Sequence, residues 1–221
     1  VDKIPTEGYA ANLSKDSLKG KRLGLYGSGW RPNKLSPEAA ELYERAKSEL
    51  EAAGAILVED PFAGTDFASY RQVTPGTPFF DGRGLESIAY DMTCYLKRLG
   101  ESAAVKTWDE FAEVTHIEEV TGKGTILGYL HELPDFVEAI KSPGTPPAMP
   151  QFVELKRRYL DILREVFDRH SLDGLVYPQM IEELPELHSG DAIRETTVGE
   201  LNIAGLPAVT VPAGYYNSGA P

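Results

Sequence analysis

Short apolar runs alternate with longer amphipathic stretches along most of the chain. The runs at residues 22–26, 55–60 and 172–178 are rich in Leu, Val and Ile and are bounded by Gly, Pro or charged residues. Runs of this length and composition predict strands inside a sheet that helices cover. A fourth run, AVTV at residues 208–211, lies between two prolines and predicts a fourth strand.

The spacing of apolar residues between the first two strands predicts a helix. Ser36 is a suitable N-cap, Pro37 suits the first helical position, and Gly54 suits the residue just beyond the end. A strand, a helix and a second strand in this order predict a parallel pair joined by a right-handed crossover.

Apolar spacing predicts three further helices and one long loop. The helices run from Gly84 to Gly100, over about 108–114 and over about 150–169. Thr196 or Thr197 begins a short helix that ends at Ala204. Residues 117–150 are polar and rich in Gly and Pro near their end, which predicts a surface loop. These elements indicate an α/β fold.

Composition and charge argue against several classes of protein. The chain has 221 residues, 42% of them hydrophobic, and a net charge of −12. Nucleic acids and anionic membranes bind clustered Lys and Arg, so neither is an expected partner. Cys94 is the single cysteine and the four histidines are scattered, so we expect no disulfide and no metal site. No apolar run approaches the ~18 residues of a membrane span, and we expect a cytoplasmic protein.

Three local patterns carry candidate chemistry, and each has a simpler interpretation. Gly24–Gly29 follows a strand, but its G-x-x-G-x-G spacing is not the dinucleotide fingerprint, which favours a turn over a phosphate site. His188–Asp191 contains the residue types of a catalytic triad, yet triad members normally come from separate elements. The glutamates within 182–186 suggest paired carboxylates, but a solvated loop is the simpler interpretation in a chain with 34 acidic residues.

The order of the segments resembles the amidase signature family of amide hydrolases. Five segments match the family, and together they cover about half of the chain. The first four are LKGKRLGLYG, SPEAAELYERAKSELEAAGAILVED, YDMTCYLKRLG and FVELKRRYLDILREVFDRHSLDGLVYP. The last and most specific segment is TTVGELNIAGLPAVTVPAG followed by SGAP. It contains the string N-x-x-G-x-P-A-x-x-V-P-A-G, which is typical of the family's C-terminal half.

The resemblance implies an α/β fold in which helices flank a mixed central sheet. It implies hydrolysis of a carboxamide through an acyl-enzyme on a serine, which a neutral lysine and a bridging serine activate without a cofactor. No Gly/Ser-rich stretch with consecutive serines occurs in the chain. In family order these catalytic residues would precede residue 1. We therefore expect residues 1–221 to form a single incomplete domain, a C-terminal fragment that is inactive alone.

The resemblance also assigns five residues to a substrate pocket. Asn202 would lie near the acyl group, with Thr196 and Thr197 just upstream and Pro178 after the third strand. Glu195, seven positions before Asn202, would favour a substrate with a hydrogen-bond donor or a positive charge. From the residues alone, Asn202 lies in an apolar region, and a buried amide without partners costs ~1–3 kcal/mol. It therefore either holds neighbouring loop backbone or lines the pocket.

Two other functions stay open at this point. The half-fold could be a non-catalytic ligand-binding or interaction module, or Gly24–Gly29 could bind a nucleotide. Besides a small-molecule amide, we expect a second copy of the chain as a partner, because an exposed sheet edge offers unpaired backbone groups.

Overall fold

The computed structural model describes residues 7–69, 82, 84–122, 125, 128–186, 188–189, 191 and 196–220. In chain order its regular elements are β1 (Arg22–Leu25), α1 (Pro37–Ala52), β2 (Ile56–Val58), α2 (Ile88–Leu99), α3 (Trp108–Thr115), α4 (Glu118–Thr121), α5 (Pro134–Lys141), α6 (Pro150–His170), β3 (Gly174–Val176) and α7 (Gly199–Ala204). Short 3₁₀ turns lie at Tyr9–Asn12, Leu85–Ser87 and Gly128–Glu132. Among the helices described, none is both long enough and apolar enough to cross a bilayer.

The chain forms two compact units, and each is described by itself. The sheet unit comprises Val1–Tyr70, Tyr159–Leu201 and Leu206–Pro221. The helical unit comprises Arg71–Arg158 and Asn202–Gly205. The single domain predicted from the sequence stays a prediction.

β1 is the central strand of a parallel sheet with the order β2–β1–β3. Leu23 of β1 lies opposite Leu57 of β2 and opposite Gly174 of β3. The predicted α/β class is confirmed, as is the parallel pairing of the first two strands. Leu25 is fully buried and Leu23 is 8% exposed, which fits the short apolar sequence of a central strand.

Helix α1 begins where its sequence predicts and fastens the ends of two strands. The Ser36 hydroxyl accepts a hydrogen bond from the backbone three residues on at 3.2 Å, and Pro37 is the first helical residue. The hydroxyl of Tyr43 donates to Val176 O at 2.8 Å and accepts from Tyr26 N–H at 2.9 Å. Burial raises the pKa of Tyr43. This one hydroxyl therefore links α1 to the carboxyl ends of β1 and β3.

Asp173 joins β1 and β3 at the other end of the sheet. Its carboxylate accepts from the Lys21 ammonium at 2.7 Å and from Arg22 N–H at 2.9 Å. Both bonds favour the ionised form, so the pKa of Asp173 lies below its usual range. The Arg22 guanidinium also donates to His170 O at 2.8 Å, which ties α6 to the same end.

The helical unit corrects the predicted loop at 117–150. This stretch contains α4, a 3₁₀ turn and α5, and Leu130, Leu133 and Phe136 form a buried cluster within it. Pro134 stands in the first turn of α5, a position that suits proline. The prediction was wrong because each element is at most eight residues long. Helices this short contain too few apolar residues at helical spacing to be recognised within a polar stretch.

The predicted fourth strand is also wrong. Residues 208–211 belong to no helix or strand, and Val209 and Val211 are 88% and 73% exposed. An apolar run supplies the side chains of a buried strand, but a strand also needs a neighbour for its backbone hydrogen bonds. Within the described residues, no strand pairs with this segment.

Candidate functional site

The carboxyl ends of β1, β2 and β3 bring three loops of the sheet unit together. The loops are residues 26–31, 59–62 and 177–180, and residues 196–200 contact the third loop. In open parallel α/β sheets, ligands bind outside this end of the strands. This edge is therefore the candidate site.

A Gly-Ser-Gly turn after β1 encloses the carboxylate of Asp60. The Ser28 hydroxyl donates to Asp60 Oδ2 at 3.0 Å, and Gly29 N–H donates to the two carboxylate oxygens at 3.0 and 3.1 Å. The close approach requires glycine at both positions. A Cβ on Gly27 would lie 2.4 Å from Asp60 Cγ, and one on Gly29 would lie 2.3 Å from Ala63 N. The glycines thus allow the loop after β1 to pack on the loop after β2.

The same turn is where the sequence suggested a phosphate site. In phosphate-binding loops, backbone N–H groups point at the anion. Here Gly29 N–H binds the carboxylate of Asp60, while the N–H groups of Trp30 and Arg31 donate to Gly27 O at 3.0 and 3.2 Å. A carboxylate of the chain itself occupies the position that an anion would take. The geometry favours the turn interpretation over a nucleotide loop.

Trp30 is fully buried at the centre of an aromatic cluster. Its ring centroid lies 4.7 Å from that of Tyr177, 5.3 Å from Phe62 and 5.5 Å from Phe67. Tyr159 of α6 packs edge-on against Phe67 at 5.2 Å. Burial raises the pKa of Tyr177. Aromatic contacts of this kind stabilise beyond the area they bury, and here they hold the loops after all three strands together.

The structure brings together three of the five pocket residues predicted from the sequence. Thr197 is fully buried, and its hydroxyl donates to Pro178 O. Its N–H donates to Gln179 O at 3.0 Å, and its carbonyl accepts from Trp30 Nε1–H at 3.2 Å. Thr196 forms one antiparallel bridge to the loop after β3. These residues fasten loops to the edge of the sheet, and their contact with a substrate stays a prediction.

A buried ion pair beside these residues was not predicted from the sequence. Arg31 Nη2 donates to both carboxylate oxygens of Glu200 at 2.8 Å, and Glu200 is only 3% exposed. Arg31 Nε is buried without a hydrogen-bond partner among the described residues. The pair joins the loop after β1 to the first turn of α7. The one signal in the sequence is an acidic residue inside the apolar segment GELNIAG, and nothing there identifies a partner 169 residues away.

Asn202 is exposed, so the expectation that it lies in a buried region is wrong. Its neighbours in α7, Leu201 and Ile203, are each 4% exposed and fill the buried face of this short helix. Asn202 takes the remaining face, which leaves its amide accessible. Glu195 lies outside the described residues. The assignment of Asn202 and Glu195 to a substrate pocket stays a prediction.

The triad-like segment forms local contacts of the kind found in polar loops, and one of the glutamates contacts a residue distant in sequence. The Ser189 hydroxyl accepts from Asp191 N–H at 3.1 Å, and Ser189 N–H donates to Glu186 O at 3.0 Å. The Glu183 carboxylate accepts from the hydroxyl of Ser218. In the described parts of the chain, no group of three or more His, Cys, Asp or Glu side chains is placed to hold a metal ion.

The fold as a whole is similar to that of an amidase. It matches the crystal structure of an amidase family protein from Bacillus anthracis str. Ames with a TM-score of 0.51 and 22% sequence identity. The match covers 100% of this chain and 37% of that chain, so the 221 residues span about a third of the longer protein. At this identity the likeness shows the fold alone. No family model and no curated protein sequence matches the chain.

Proposed function

We propose that this chain is part of a serine-dependent amide hydrolase of the amidase signature type. The observation that carries the proposal is that all of the chain matches the fold of an amidase family protein while covering 37% of it. The ordered segments that resemble the amidase signature family support it independently, above all the string that begins at Asn202 and ends at Gly214.

In this proposal the enzyme converts a carboxamide and water into a carboxylate and an amine or ammonia. A serine hydroxyl attacks the amide carbonyl carbon, its proton passes by way of the bridging serine and the lysine to the leaving nitrogen, and the C–N bond breaks. Water then hydrolyses the acyl-enzyme. The lysine and both serines lie outside these 221 residues, so the isolated chain is inactive.

The chain contributes a wall of the acyl pocket. Residues 178 and 196–197 form this wall at the carboxyl end of the sheet, where Thr197 fastens the loop that carries Thr196. Asn202 offers an exposed amide as a hydrogen-bond donor and acceptor. Glu195 selects substrates that carry a donor or a positive charge.

A non-catalytic binding module is the second candidate, and one observation favours it. The sheet unit has its own three-stranded sheet and a buried aromatic cluster that closes the carboxyl edge around Trp30. Such a unit can fold without further chemistry. The two candidates differ in what happens to an amide, because a module binds a ligand and leaves it intact.

Measuring amide hydrolysis separates these candidates. The measurement compares the isolated chain with the longer polypeptide that is encoded by the uninterrupted reading frame containing it. The assay measures ammonia release from a panel of carboxamides. We expect activity from the longer polypeptide alone, and Asn202→Ala should lower its kcat/KM. The matched control is Asn217→Ala, an exposed asparagine of the same chain. Hydrolysis by the isolated chain, or a longer polypeptide that binds amides without cleaving them, would contradict the proposal.

A further inference from the structure

Two consecutive residues of the loop after β1 hold a segment that lies at the carboxyl edge of the sheet. Trp30 Nε1–H donates to Thr197 O at 3.2 Å, and the Arg31 guanidinium donates two hydrogen bonds of 2.8 Å to the Glu200 carboxylate. The backbone N–H groups of Trp30 and Arg31 both donate to Gly27 O, so one tight turn sets the backbone from which the two side chains extend. Positions 197 and 200 are therefore attached to the same loop.

Residues 196–200 form a wall segment that includes part of the proposed acyl pocket. Backbone contacts fasten its beginning, since Thr197 N–H donates to Gln179 O at 3.0 Å and Thr196 forms an antiparallel bridge to the loop after β3. The ion pair fastens its other end, where Glu200 is 3% exposed in the first turn of α7. Only two residues separate Thr197 from Glu200, so the ion pair restrains the backbone next to both pocket threonines.

The ion pair is a poor source of stability for the energy that its burial costs. Taking both charges out of water carries a desolvation penalty, which the attraction between them does little more than balance. Among the described residues, none accepts a hydrogen bond from the buried Arg31 Nε, which adds a further cost. Apolar side chains of similar volume would stabilise the fold about as well. What they would not supply is direction, because a planar guanidinium on both oxygens of a carboxylate fixes the distance and the angle between two segments.

We propose that Arg31 and Glu200 are positioning residues that hold the wall segment in the geometry that amide hydrolysis requires. The inference rests on the proposed amide hydrolase and on the pocket wall at Thr196 and Thr197. The pair acts through this wall, which keeps the acyl group aligned while the serine attacks the amide carbonyl carbon. Misplacing a pocket group by about 1 Å can lower a rate by about a hundredfold. The pair therefore contributes more to kcat than to the stability of the fold.

Hydrogen exchange of the Thr197 amide in the isolated chain tests the positioning without an activity assay. The variant is Arg31→Met with Glu200→Leu, which removes both charges and keeps an apolar contact. The reference is the Tyr26 amide, which donates to Val176 O at 3.2 Å and reports opening of the sheet. Relative to this reference, the Thr197 amide should exchange roughly tenfold faster in the variant than in the wild type, because the wall segment opens locally.

A second double variant is the matched control for the exchange experiment. Arg169→Met with Glu165→Leu removes an exposed ion pair on α6 and should leave the Thr197 exchange rate at its wild-type value. Unchanged exchange in the Arg31 and Glu200 double variant would overturn the proposal. Equal acceleration in the control would also overturn it, because the effect would then not depend on the buried pair.

Amide hydrolysis by the longer polypeptide of the same reading frame tests the consequence for catalysis. We expect the Arg31→Met, Glu200→Leu variant to lose roughly tenfold or more in kcat while its urea midpoint stays close to that of the wild type. A purely structural pair would leave kcat unchanged in such a variant, and that result would overturn the proposal. A wild type that hydrolyses no amide would instead refute the proposed function and, with it, the catalytic part of this inference.

A conservative variant separates the geometry of the pair from its charge. Arg31→Lys keeps the positive charge but offers a single point of attachment in place of a planar fork. Its kcat should lie between those of the wild type and the double variant. A lysine variant with the full wild-type kcat would show that charge alone suffices and would contradict the positioning role.

Discussion

Replacing Arg31 by methionine removes the cation from a buried ion pair and leaves its carboxylate behind. The guanidinium donates two hydrogen bonds of 2.8 Å to Glu200, whose side chain is 4% exposed. Methionine keeps much of the aliphatic stem of arginine, so packing changes less than charge. The Glu200 carboxylate then loses these two hydrogen bonds while it stays buried, and the folded state loses stability.

The expected cost follows from burial at both partners. Removing one member of a buried pair costs about 3–5 kcal/mol in general. The Arg31 side chain is 15% exposed, which places this pair at the lower end, near 3 kcal/mol. Replacing both residues, as Arg31→Met with Glu200→Leu, removes the buried negative charge as well and should restore stability to within about 1 kcal/mol of the wild type.

Urea unfolding followed by tryptophan fluorescence measures this cost in the sheet unit. The chain has two tryptophans, so a Trp108→Phe background leaves buried Trp30 as the reporter. The matched control is Arg169→Met, which breaks an exposed pair with Glu165 on α6 and should cost about 0.3–0.5 kcal/mol. The reasoning fails if Arg31→Met costs no more than this control. It also fails if the double variant is as unstable as the sum of the two single variants.

Three further substitutions test separate parts of the fold. Gly29→Ala should destabilise by about 2 kcal/mol in urea unfolding, because its Cβ would meet backbone at 2.3 Å, whereas Gly174→Ala meets only an ordinary contact at 3.6 Å and should be nearly neutral. The lowered pKa of Asp173 stabilises the folded state above the unfolded value of about 3.9, and this contribution disappears as the pH falls through the folded value. The stability difference between wild type and Asp173→Asn, measured across acidic pH, should therefore be constant above about pH 5 and shrink below it; a constant difference at all pH values would contradict the role of Lys21. Tyr43→Phe should cost about 1–2 kcal/mol at neutral pH, since it removes the hydroxyl that joins the ends of β1 and β3, and an unchanged midpoint would show that this bond adds nothing.

Local signals in the sequence predicted the first strand–helix–strand unit well. Ser36, Pro37 and the apolar face of α1 each act within a few residues, so their effect can be read from the chain directly. The parallel pairing of β1 with β2 follows from the crossover that such a unit requires. The position of β3 on the other side of β1 depends on contacts distant in sequence.

The features that the sequence failed to predict are those that depend on distant partners. The 208–211 run has the composition of a strand but does not form one, because no strand among the described residues pairs with it. Asn202 lies between apolar neighbours, but the direction of one side chain on a short helix decides its exposure. The ion pair of Arg31 and Glu200 joins two segments that no local pattern relates. Asp60 likewise contacts the Gly-Ser-Gly turn only because β1 and β2 are adjacent in the sheet. The need for glycine in that turn therefore depends on a residue about 30 positions further along the chain.

Labelling with a fluorophosphonate, which reacts with activated serines, is the most direct test of the proposed amide hydrolase. The reagent is added to the isolated chain and to the longer polypeptide of the same reading frame, and mass spectrometry locates the modified residue. The account predicts one labelled serine in the longer polypeptide, outside these 221 residues, and competition for it by amide substrates. A label on a serine within the 221 residues, or no label while amides are hydrolysed, would contradict the account.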